Sequence, residues 1–151
     1  MHGCATGNLE AIELAPDPLF EEWVVSGNPI TRSRIIATSP DRASKTMVWD
    51  CTAGSFEWHY KQDEVLIVIA GDACLLGQNG KERRLAAGDY GFFPAGTIAH
   101  WRVDKYIRKV ALLHEPMFGP AVPALNLWNK ILRKFHSARH IGFESGAFPR
   151  R

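Results

Sequence analysis

Glu57 and His59 stand two residues apart in the run Phe56-Glu57-Trp58-His59-Tyr60, and Glu64 and His100 follow later in the chain. Two carboxylates and two imidazoles make a ligand set for a divalent ion such as Mn, Fe, Zn or Ni, with the carboxylates balancing its charge. Alternate residues of a strand share a face, so Glu57, His59 and Lys61 point one way while Phe56, Trp58 and Tyr60 point the other. If the first set faces inward, Glu64 on the next strand and His100 from a later one could converge on it. A metal held there polarises a carbonyl or activates water. Tyr60, Asp63 and Lys61 are the nearby groups able to move protons, with Tyr60 and Asp63 as the catalytic candidates.

A second placement competes with the first. Phe56, Trp58 and Tyr60 could fill the interior instead, leaving Glu57 and His59 on a wet outer face. Outward aromatics are costly unless something covers them, since each buries about 150–250 Å². Asp63 also competes with Glu64 as a ligand if the turn before it is one residue out of register. A Glu-x-His pair and a later His in one chain favour the metal.

The elements that must position these residues are short β-like runs. Candidates are 32–37, 45–51, 55–61, 64–70, 72–77, 81–86, 90–93, 98–103 and 106–113, separated by turn residues and without helical periods between them. That spacing predicts a mostly antiparallel all-β sandwich or barrel. Asn79-Gly80 is a tight-hairpin signal. Before the barrel, residues 1–31 form an N-terminal extension in which Asp17-Pro18 could start a short helix through Trp23. Beyond the barrel at 32–116, residues 117–151 carry Leu125, Trp128, Ile131, Leu132 and Phe135 at helical spacing, which predicts a C-terminal α-helix with one apolar stripe.

Two segments resemble the paired motifs of the cupin superfamily, the RmlC-like jelly-roll β-barrels. Glu57-Trp58-His59-Tyr60-Lys61-Gln62-Asp63-Glu64, followed by Gly71, is similar to the first motif, with Glu57 at the first His position. Gly88 through His100, containing Pro94-Ala95-Gly96, is similar to the second, with its His one residue late. The wider text over about 27–116 resembles the small bacterial cupins grouped with the (S)-ureidoglycine aminohydrolase cupin domain. That resemblance implies a metal site at Glu57, His59, Glu64 and His100, with Mn favoured and Fe, Ni or Zn open. Glu64 and His100 would replace a His and an amide of the aminohydrolase.

Composition bounds the partners. A length of 151 residues fits one domain, and a net charge of +2 implies neither nucleic acid nor an acidic membrane. Cys4, Cys51 and Cys74 form no CxxC and cannot all pair, which reads as a reducing cytoplasm. No GxSxG, Walker loop, Rossmann glycine pattern or HExxH is present. The expectations are a small-molecule ligand and a homodimer. Two functions fit: a metal-dependent, hydrolase-like enzyme acting on a small polar, ureido- or amino-acid-like molecule, or a metal-free binding or sensing cupin.

Overall fold

The computed structural model describes residues 4–76 and 80–115. Eight strands form one antiparallel sheet: β1 (Ala15–Pro16), β2 (Val24–Gly27), β3 (Thr31–Thr38), β4 (Ser44–His59), β5 (Asp63–Leu76), β6 (Glu82–Ala86), β7 (Tyr90–Phe93) and β8 (Ile98–His114). The hydrogen-bonded order is β1-β3-β4-β8-β5-β6, with β2 also paired to β4 and β7 to β5. The antiparallel β-barrel expected from the sequence is the architecture observed.

Three pairs of expected runs are each one long, bent strand. β4 joins 45–51 to 55–61, β5 joins 64–70 to 72–77, and β8 joins 98–103 to 106–113. The breaks between them are register shifts inside continuous ladders, at Thr52/Gly54 in β4 and at Val68/Ala70 and Gly71/Cys74 in β5. A bulge bends its strand without ending it. Gly71 is tied to such a bend, with φ at 68° and the Tyr106 carbonyl oxygen 2.0 Å from where a Cβ would stand.

The bulge in β4 also reverses which parity faces the core. Trp49 and Cys51 point inward before it, and Phe56 and Tyr60 after it, all at most 3% exposed. They pack with Leu66 and Val68 of β5 and with Trp101, Val103 and Ile107 of β8. The short helix expected from Asp17 to Trp23 is only a 3-10 turn at Glu21–Trp23, because β2 begins at Val24 and pairs at once with Phe56. The expected C-terminal helix lies outside the described residues. Among the described residues, no helix is long and apolar enough to cross a membrane.

Candidate functional site: a tryptophan-lined interior around a buried ion pair

Alternation brings three inward sets together. β4 supplies Trp49, Phe56 and Trp58, with Tyr60 just past its end, β5 supplies Glu64, Leu66 and Val68, and β8 supplies Trp101, Ile107 and Lys109. Register places Lys109 opposite Trp49 on one side and Val68 on the other. Its ammonium donates to Glu64 Oε1 at 2.6 Å, with both side chains 4% exposed. The same ammonium lies 4.9, 5.5 and 5.3 Å from the ring centroids of Trp49, Trp58 and Trp101. Three indole faces and one carboxylate thus replace the water a lysine needs, and this makes a buried charge tolerable.

Tyr60 completes the polar corner. Trp101 Nε1 donates to its hydroxyl oxygen at 3.2 Å, and its ring stacks on Phe93 at 4.5 Å. Burial, and then the charge of Glu64, raise the Tyr60 pKa well above the usual phenol value. The hydroxyl therefore stays protonated at neutral pH and is a donor rather than a base. Among the described residues, the Tyr60 proton has no acceptor and the buried Trp49 Nε1 has no partner.

A cavity of about 280 Å³ opens beside this corner. Trp58, Tyr60 and Glu64 form its barrel wall, while Leu19, Phe20 and Trp23 of the N-terminal segment form its outer wall. That segment is held by rings: Trp23 stacks on His59 at 4.7 Å and meets Trp58 edge-on at 5.7 Å, and Lys61 lies 5.6 Å from the Phe20 centroid.

The four expected metal ligands are not brought together. Glu57 and His59 have side chains 51% and 39% exposed, with His59 Nε2 3.9 Å from Glu57 Oε2, and His59 also lines the cavity. His100 faces Glu57 across the β4–β8 ladder, and its Nε2 lies 2.9 Å from Ser55 Oγ. Of the four, Glu64 alone is buried. The expectation that the Glu57 set lines the barrel is thus corrected. Burying Phe56, Trp58 and Tyr60 removes far more apolar surface from water, whereas turning Glu57 and His59 inward would desolvate a carboxylate and an imidazole.

Asp63, the other catalytic candidate, accepts from the Ala95 backbone N–H at 2.8 Å and so braces the turn before β8. Lys61 is exposed. Among the described residues, no group of three or more His, Cys, Asp or Glu is placed to hold a metal ion. The interior does not fit a divalent cation, since its one carboxylate is already engaged by an ammonium that would repel a second cation.

Sequence reasoning missed Lys109 as a site residue. Its signal is the alternation Ile107-x-Lys109-x-Ala111, in which both neighbours on the same face are buried and apolar. Glu64 carries the same signal beside Leu66 and Val68.

Residues 38–111 match the family model of the EutQ-like cupin domain. No curated protein matches the chain. Among solved structures, a Pseudomonas syringae pv. tomato protein of unknown function is 24% identical with a TM-score of 0.63, covering 69% of this chain and 45% of that one. The EutQ protein of Clostridium difficile is 14% identical with a TM-score of 0.58, covering 75% and 88%. A cupin 2 conserved barrel domain protein from Rhodopseudomonas palustris is 12% identical with a TM-score of 0.56, covering 72% and 74%. At these identities the likeness shows the fold alone.

Proposed function

Since residues 38–111 match the EutQ-like cupin domain model, we propose that the chain is a metal-free binding module whose barrel cavity takes a small organic molecule. The observation that carries this reading is the ammonium of Lys109, fixed beside Glu64 where a barrel metal would need free carboxylates and imidazoles. A largely apolar cavity with a few convergent polar groups is what a small-molecule site requires. Here Leu19, Met47 and Leu113 supply apolar wall, and Tyr60 and Glu64 the polar corner. The likeness to ureidoglycine aminohydrolase cupins supports a small polar ligand. It does not support their metal chemistry in this chain, because Glu57 and His100 do not line the cavity and His59, which does, stacks on Trp23.

Elemental analysis of the purified protein tests this reading, after incubation with Mn, Fe, Ni and Zn and removal of free ion. The expected result is far less than one equivalent of any metal, unchanged in Glu57→Ala and His59→Ala. A stoichiometric metal lost in both variants would overturn it in favour of the metal-dependent enzyme.

A further inference from the structure

Three neighbouring strands are apolar on both faces. β5 reads Val65-Leu66-Ile67-Val68, β7 reads Tyr90-Gly91-Phe92-Phe93, and β8 reads Val110-Ala111-Leu112. Leu66, Val68 and Ala111 fill the barrel, and Phe93 stacks on Tyr60 there. The alternate residues point away from it. An antiparallel sheet with one face in water alternates apolar with polar, whereas continuous apolar runs belong to strands covered on both sides.

Register gathers the outward residues into two rows across the three strands. Leu112, Val65 and Phe92 make one row, and Val110, Ile67 and Tyr90 the other. Five of the six are exposed, from 37% at Val65 to 73% at Tyr90. On the far side of β8, Val48 continues the second row and is fully buried. Arg108, the next outward residue of β8, donates to the Leu9 and Ile12 carbonyls, so the N-terminal extension reaches this face there and stops short of the exposed five.

The patch has the size and chemistry of half an interface. Those exposures amount to roughly 500 Å² of apolar surface, the apolar share of a standard interface that buries about 800 Å² per partner. A contiguous apolar patch of that extent is often an interaction site. None of its six side chains is charged, so stacking the face on a copy of itself brings no like charges together. Two identical sheets also share one twist, the condition for aligned packing about 10 Å apart.

We propose that two copies of the chain pair through this face, sheet on sheet about a two-fold axis, with Val65 and Ile67 of the central strand near that axis. The pairing is independent of what the cavity binds.

Sedimentation equilibrium of the full chain is expected to give twice the chain mass in the micromolar range. Phe92→Arg and Val65→Lys change outward residues, spare the core and set like charges against each other across the axis. Each is expected to weaken the dimer at least about a hundredfold. Ile98→Arg, at an exposed apolar residue opposite His59, should leave the mass unchanged. Nitration of Tyr90 gives a reading that needs no variant. It should be slow at concentrations where the chain is dimeric and rapid on dilution to monomer.

A monomer throughout that range with readily nitrated Tyr90 would overturn the proposal. A monomer whose Tyr90 is protected would overturn it too, by giving the face to another occupant. A dimer that survives both charged variants, or that is lost in Ile98→Arg, would place the interface elsewhere.

Discussion

Lys109 and Glu64 meet at 2.6 Å inside the barrel, each side chain 4% exposed, on strands whose neighbouring inward residues are apolar. Such a pair is costly to break from one side and cheap to replace as a unit. Lys109→Met or Glu64→Leu alone should each lower the unfolding free energy by about 3–5 kcal/mol, because each strands a buried charge. The double variant should return most of that loss. Urea denaturation of the four proteins measures the cycle. Singles costing less than about 1 kcal/mol, the scale of an exposed ion pair, would mean that the pair is open to water.

Gly71 and Gly88 both have positive φ, at 68° and 94°, yet they should respond differently to a methyl group. At Gly71 the added Cβ would stand 2.0 Å from the Tyr106 carbonyl oxygen, whereas at Gly88 nothing lies within 4 Å. Gly88→Ala should therefore cost about 1 kcal/mol of backbone strain. Gly71→Ala should cost about 3 kcal/mol or more, because β5 and β8 must separate at the bend. Thermal melts of the two variants compare them, and equal losses would contradict the close approach of those strands.

Burial, followed by the charge of Asp50, pushes the Cys51 thiol up to about 12 from the ordinary 9.0. Between those values the unfolded chain has lost the thiol proton and the folded chain keeps it. Folding stability is thus at its full value below the ordinary thiol range and falls as pH rises toward 12. Tyr60, also raised, acts in the same direction at higher pH. Urea midpoints should decline through the alkaline range, and less steeply in Cys51→Ala. A thiol reagent at neutral pH should modify the exposed Cys4 well before Cys51. Rapid labelling of Cys51 would contradict its burial.

Much of the barrel was legible in the chain because strand period and turn residues are local signals. The hairpin glycine Gly80 does carry positive φ, at 71°. Bulges are harder to read. Ala53-Gly54 and Gly71 look like strand ends, and only the partner strand β8 shows that the ladders continue through them. Alternation separated Glu57 and His59 from Phe56, Trp58 and Tyr60 correctly, but period alone cannot say which set is inside. That choice is made by the summed burial of both faces, including the cover that Trp23 lends to Trp58 and His59. Lys109 was hidden for a similar reason. A lysine among Arg108 and Tyr106 reads as solvated until Trp49, Trp58, Trp101 and Glu64, dispersed over fifty-odd residues of sequence, are seen to enclose it.

NMR of the lysine side chains reads the barrel interior most directly. With three indole faces around its ammonium, Lys109 should show ε-methylene protons shifted far upfield of the other lysines and an ammonium signal protected from exchange with water. The resonance is assigned by its loss in Lys109→Arg. An ε-methylene shift indistinguishable from that of a free lysine, with rapid ammonium exchange, would place Lys109 in solvent and leave the interior open to a different occupant.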